Sequence, residues 1–183
     1  MSESLVLPIP SAVAINPYDP SWPQRAVEES ARLAGVLGPI LHQIEHIGST
    51  SVPGLAAKPI IDLMPLVVDL ELLDRARTQV ESLGYRWHGE YGIEGRRFCT
   101  VSNEAGERLL NLHCFAANSS QVARHVAFRD YLRAHPDVAL EYEKVKRRAA
   151  ELHPRDVNAY NDEKSPWVLR VEAEALQWYA GIS

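Results

Sequence analysis

The chain has 183 residues, 46% of them hydrophobic and 23% charged, and a formal charge of −5 at pH 7. That length suits one ordinary domain around a single core, and the hydrophobic content excludes intrinsic disorder. The acidic balance excludes a dedicated nucleic-acid binder of the basic-groove type. Fifteen of the nineteen basic residues are Arg. Codon bias accounts for the arginines and leaves Lys58, Lys144, Lys146 and Lys164 as places where a compact point charge stands instead of a planar fork.

In chain order, residues 1–12 hold prolines and no periodicity and read as a loose arm ahead of a single domain over 13–183. Met1 to Pro10 lack a basic segment followed by an apolar one, so no signal peptide is expected. The next elements are a turn-rich entry and an amphipathic helix from about Trp22 to Leu37, with Ser21 as N-cap and Gly38-Pro39 as its stop. Ile40 to Ile47 reads as a strand broken by Gly48-Ser49-Thr50-Ser51. Val52 to Lys58 reads as one or two helical turns and Pro59 to Val68 as an apolar strand. Asp69 caps a helix to Leu83, closed by Gly84. Tyr85–His88, Arg96–Ser102 and Leu109–Phe115 read as strands, the last two joined by a hairpin turn at Glu104-Ala105-Gly106-Glu107. Helices then cover about Ser120–Arg133, Pro136–Leu152 and Val157–Ala180; Pro166 kinks the last or starts a new helix with Ser165 as N-cap. The sum is an α/β (α+β) domain: a mixed β-sheet flanked by helices, with a helical C-terminal part. Cys99 and Cys114 lie in apolar runs and read as buried thiols. No stretch approaches 18 apolar residues, so no membrane span and a cytoplasmic location are expected.

The chemistry concentrates in one segment. A strand ends in Gly48-Ser49, with hydroxyls at Thr50 and Ser51 beside it. Amides and hydroxyls at such a turn are good donors to phosphate oxygens, and Gly48 permits close approach. Lys58 adds a mobile positive charge. Asp62 then sits among Ile60, Ile61, Leu63 and Leu66, where a carboxylate is costly unless partnered. The chain has no Walker loop. Asn111 and His113 alternate on one face of a later strand.

Gly-Ser followed after about a dozen residues by an acid in a strand resembles the polymerase-beta type of nucleotidyltransferase signature. In that superfamily the Gly-Ser holds the triphosphate and acids hold magnesium. Here Met64 stands where a second acid is usual, and the later strand offers no carboxylate. The run from Glu45 to Asp62 is similar to the GrpB-like family, a branch of that superfamily. Further matches are Tyr18-Asp19-Pro20 with Trp22-Pro23, Arg97-Phe98, Leu112-His113, Phe128 to Arg133, Tyr142 with Lys146, and Tyr160 with Lys164. The resemblance covers about residue 13 to the end and implies the nucleotidyltransferase fold; some relatives are fused to dephospho-CoA kinase.

The expected ligand is thus a nucleotide or phosphorylated small molecule, not a nucleic acid. In the enzyme reading, Asp62, His113 and Lys58 are catalytic, and Asp62 also holds magnesium. Gly48, Ser49, Thr50, Ser51, Arg97, Arg129, Lys146 and Lys164 bind the ligand. The alternative is a non-catalytic binding module, which Met64 favours; an adaptor using the C-terminal helices is a third reading. Each of these residues also has a bland reading. Ser49 to Ser51 make an ordinary capping turn, His46 anchors the loop, and His113, Tyr142 and Tyr160 are core. Arg97, Arg129, Lys146 and Lys164 lie on solvated faces, Lys144 to Arg148 is an exposed basic turn, and Trp87, Trp167 and Trp178 are packing.

Overall fold

The computed structural model describes residues 12–182, so the expected N-terminal arm lies, but for Ala12, outside the described residues. Helix α1 (Trp22–Leu37) precedes strands β1 (Leu41–Ile47) and β2 (Ile61–Val67), joined by a short 3-10 turn at Ser49–Ser51. Two short helices, α2 (Leu70–Arg75) and α3 (Arg77–Ser82), lead to β3 (Arg86–Trp87), β4 (Arg96–Ser102) and β5 (Arg108–Ala116). Helices α4 (Ser120–Ala134), α5 (Pro136–Leu152) and α6 (Val157–Ile182) complete the described chain. The five strands form one sheet in the order β1-β2-β5-β4-β3. All neighbours are antiparallel except β2 and β5, whose parallel pairing makes the sheet mixed, as expected.

Several local expectations change. Val52 to Lys58 forms no helix. Ser21 does not cap α1, because its backbone is already helical (φ −78°, ψ −16°) and not extended as an N-cap requires. Asp19 serves instead, accepting the Ser21 N–H at 2.8 Å. The helix from Asp69 breaks at Ala76 into α2 and α3, although Asp69 caps it as expected by accepting from Glu71 and Leu72. Helix α6 runs through Pro166 without a new start, and the Ser165 hydroxyl donates to the Asn161 carbonyl instead of capping. The segment Lys144 to Arg148 is helical, with Lys146 buried while Lys144, Arg147 and Arg148 are exposed.

The alternation of side chains along each strand gives the sheet two different faces. Leu63 and Val67 of β2, Leu112 and Cys114 of β5, and Cys99 of β4 face the main core. Trp22, Ala26, Leu33 and Leu37 of α1, with Leu73 and Val80, close that core. Both cysteines are buried free thiols. On the opposite face, Met64, Leu66 and Phe115 pack with Ile47 under Val122 and Val126 of α4. This double cover explains why β2 reads as apolar on both faces but for Asp62. A second cluster of Val52, Leu55, Leu132, Ala139 and Tyr142 ties the chain after the Gly-Ser turn to the C-terminal helices. Among the described residues, no helix is long and apolar enough to cross a membrane.

Candidate functional site

The site forms where β1 runs out beside β2. Asp62 pairs across to Ile47, so the turn that follows Ile47 passes directly over its carboxylate. Gly48 adopts φ +72° and ψ −174°, a region open essentially to glycine. A Cβ there would stand 2.6 Å from Asp62 Oδ2. Two of the three hydroxyls that follow are turned inward. Thr50 Oγ1 meets His46 Nε2 at 2.9 Å, and the Ser51 hydroxyl donates to the Gly48 carbonyl at 2.5 Å. Burial lowers His46 to a pKa of about 4, so it is a neutral anchor of the loop. Ser49 is half-buried, and its hydroxyl has no hydrogen-bond partner among the described residues.

Asp62 Oδ1 accepts from Asn111 Nδ2 at 2.8 Å and from His113 Nε2 at 3.3 Å. Both donors lie on β5, in phase with Asp62 across the parallel pair. Burial pushes this carboxyl up. The His113 and Asn111 hydrogen bonds and the Lys58 charge outweigh burial and leave it below the usual carboxylate range. Asp62 is therefore an anion at neutral pH. Donation from His113 Nε2 leaves Nδ1 as the acceptor, and Arg96 Nη1 lies 3.5 Å from it. Asn111 Oδ1 in turn accepts from Arg108 Nη1 at 3.0 Å. Arg108 has a buried Nε with no partner.

Cations gather on the other flank. Lys58 Nζ lies 4.9 Å from the centre of the Tyr160 ring, and Lys164 Nζ lies 5.5 Å from the same ring. Neither ammonium has a carboxylate partner among the described residues. Burial, and then the Lys164 charge, lower Lys58, against the pull of Asp62. Lys146 is buried, donates to the Ala56 carbonyl and sits 4.7 Å from the Tyr142 ring. Burial and then Lys164 bring it down to about 7. Helix α6 thus contributes Tyr160 and Lys164 to a site whose other parts come from the loop and sheet.

Residues 12–174 match the family described as GrpB protein. The chain belongs to the GrpB family. It is 39% identical to UPF0157 protein YqkA of Bacillus subtilis over 90% of its own length, and it spans only 47% of that protein. With BH1888 of Halalkalibacterium halodurans it shares 36% over 90% of itself and 83% of the relative. The crystal structure of GrpB from Enterococcus faecalis superposes with a TM-score of 0.86 at 36% identity, covering 91% of this chain and 99% of that one. Similarity at 27% identity extends over 87% of this chain to 46% of the dephospho-CoA kinase of Mycobacterium leprae. A distant likeness to terminal uridylyl transferase 4 from Trypanosoma brucei with bound GTP has a TM-score of 0.46 at 14% identity, over 82% of this chain and 49% of that one.

Within this GrpB fold, Gly48, Ser49, Lys58, Asp62 and His113 are brought together, with Lys146 and Lys164 beside them. Thr50 and Ser51 belong to the loop but spend their hydroxyls on its own structure. Arg97 is not part of the site. It pairs with Cys114, on the face opposite His113, and forms a two-pronged ion pair with Asp74 at 2.6 and 2.8 Å. Its neighbour Arg96 points to the site face instead. Arg129 is likewise committed elsewhere: it binds Glu45, Asp130 and the His46 carbonyl, clamping α4 to β1. Arg108 and Arg96 were not legible as site residues. The strand parity that selects them depends on the β4–β5 register.

The expected magnesium fits this donor set poorly. Asp62 is the only carboxylate in the group. Met64 is fully buried among Ile47, Leu66 and Phe115, and the facing strand offers Asn111 and His113. Among the described residues no three His, Cys, Asp or Glu side chains gather as a metal site. What the arrangement offers is an ionised carboxylate with a free oxygen, a hydroxyl with no protein partner, and unpaired cations.

Proposed function

We propose that the Asp62 cleft of this GrpB protein binds a nucleotide or phosphorylated small molecule and transfers a nucleotidyl or phosphoryl group to a small hydroxyl acceptor. The observation that carries this reading is the Lys58–Tyr160–Lys164 cluster. Two ammonium groups around one buried ring repel each other; Asp62 draws on Lys58, but neither ammonium is ion-paired to a carboxylate among the described residues. An anion between them relieves the repulsion. Ser49, at the mouth of the turn, supplies a free hydroxyl and the backbone its amides, which suits phosphate oxygens.

In the transfer, the acceptor oxygen attacks phosphorus and its proton passes to Asp62 Oδ2. The bond to the leaving phosphate breaks, and Lys58 and Lys164 take up the charge that develops there. His113 holds Asp62 in place through Oδ1 and keeps Oδ2 free. No step uses a metal held by protein carboxylates alone, since only Asp62 is present. The second reading is a binding module without turnover, and the burial of Met64 in an apolar cluster favours it.

A thermal-shift screen of nucleoside triphosphates and coenzyme A precursors, with and without magnesium or manganese, tests the proposal. A ligand should raise Tm by mass action, and Lys58→Ala should abolish the shift. Asp62→Asn should keep binding and stop turnover. If no phosphate compound shifts Tm, the reading falls. If binding occurs but Asp62→Asn and wild type consume ligand equally slowly, the binding module stands instead.

A further inference from the structure

The loop between β3 and β4 holds a feature that the phosphate reading leaves unused. Tyr91 has φ +48°, and it alone among the described non-glycine residues takes a positive value. Gly89, Gly92 and Gly95 around it do the same at no steric cost. A bulky aromatic residue there is strained, and such strain persists only where the surroundings hold it. Arg96 provides the hold: its Nη2 donates to the Tyr91 carbonyl at 2.6 Å and its Nε to the Glu90 carbonyl at 3.1 Å.

The ring is held in a particular place. It stacks on Phe98 with centroids 5.2 Å apart and planes 19° apart, and Phe98 lies 5.2 Å from the His113 ring. Tyr91 also lies near enough to Arg96 and Arg108 to act on both charges. A run of side-chain contacts leads from Tyr91 through Phe98 and His113 to Asp62. Although one face of the Tyr91 ring is covered by Phe98, the residue is 66% exposed. The His88 ring lies 5.4 Å away, tilted by 53°, and the rest of the Tyr91 side chain is open to solvent.

We infer that Tyr91 is a stacking platform for a planar aromatic ring, so the ligand of this cleft is a nucleotide and not a phosphorylated sugar or acid. The inference rests on the phosphate reading of the same cleft and names its substrate class. Stacking of a base on an exposed aromatic side chain changes affinity by about tenfold.

The test uses the intact protein with Tyr91→Gly, which removes the ring and relieves the backbone, and Tyr91→Phe, which keeps the ring. ATP and tripolyphosphate are titrated calorimetrically into each. The expected result is that Tyr91→Gly weakens ATP about tenfold and leaves tripolyphosphate unchanged, while Tyr91→Phe alters neither. Unchanged ATP affinity in Tyr91→Gly, or an equal loss for both ligands, overturns the platform and leaves the phosphate reading standing. Adenosine, which lacks phosphate, separates the two ideas further. If tripolyphosphate fails to bind wild type, the phosphate reading falls. The platform is then supported by an upfield shift of the Tyr91 ring protons on adding adenosine, and overturned by its absence.

Discussion

Gly48 shows how one residue type can be fixed by two independent demands. Its backbone conformation admits no side chain, and the carboxylate it covers leaves no room for one. Gly48→Ala should destabilise the fold by about 1–3 kcal/mol from the backbone alone. Adding Asp62→Ala should recover the part due to the clash and none of the backbone part; urea unfolding of the single and double variants reads this directly. His46 makes a different demand. Its pKa falls to about 4 in the folded state from an ordinary 6.5, so the unfolded chain binds the extra proton between those values. Stability from this group is complete above pH 6.5 and is lost as pH falls toward 4. The same sign holds for His125, also lowered to about 4 by burial. Urea midpoints at pH 6.5 and 4.5 should differ less in His46→Gln than in wild type. The grouping of Ser49, Lys58 and Asp62 was readable from a Gly-Ser strand end, a lysine in an arginine-rich chain and a charge in an apolar strand, and His113 from its alternation with Asn111. Arg97 misled because Arg96 stands beside it. Which of two adjacent residues faces the cleft is settled by pairing with a strand that the local pattern does not contain. Tyr91 gave no signal at all, since its importance lies in a dihedral angle and a contact.

Elements are held against one another by residues that look like ligand binders in the sequence. Arg129 ties α4 to β1 through Glu45, with both side chains largely buried. Arg133 reaches from the same helix to the Ser51 carbonyl with two nitrogens, at 3.0 and 2.8 Å. Breaking a buried pair strands its partner charge. Arg129→Ala should therefore lower stability by about 3 kcal/mol in urea unfolding, while the folded variant keeps its response to phosphate ligands. Lys58→Ala should do the reverse: little change in unfolding and no ligand response. The comparison separates anchor from site. Strand β4 and helix α5 were fully readable, the one bounded by turn residues and the other by two prolines. The split of one expected helix into α2 and α3 was not, because Ala76 leaves helical geometry (φ −86°, ψ 6°) with no glycine or proline to announce it.

At the scale of the molecule, buried titratable groups set an alkaline stability profile. Lys146 is lowered to about 7, so above that pH the unfolded chain carries the more protons and stability rises with pH. The opposite sign holds for Cys114, raised by its hydrogen bond to Cys99 and by burial, and for Tyr85 and Tyr160, raised by burial. They keep their protons in the folded state, so stability falls once the unfolded chain begins to lose them, above about pH 9. Urea midpoints should climb from pH 7 and level off above about pH 9, and Lys146→Met should flatten the climb, leaving the part due to Lys58. The mixed sheet and helical C-terminal part were readable from element order, because the helical period that sets in after β5 persists through α4, α5 and α6. The sharing of the cleft between the first and last parts of the chain was not, since no local pattern records which distant helix returns to a loop.

That return has a consequence for synthesis. Lys58 leaves the ribosome early, but Tyr160 and Lys164, the ring and charge that complete its surroundings, emerge only with α6. Contacts so far apart in the chain form late. A nascent chain halted before α6 has the turn and the strands but only half of the cation pair. On the phosphate reading, the cation pair that would receive an anion is therefore assembled only after Lys164 has been made.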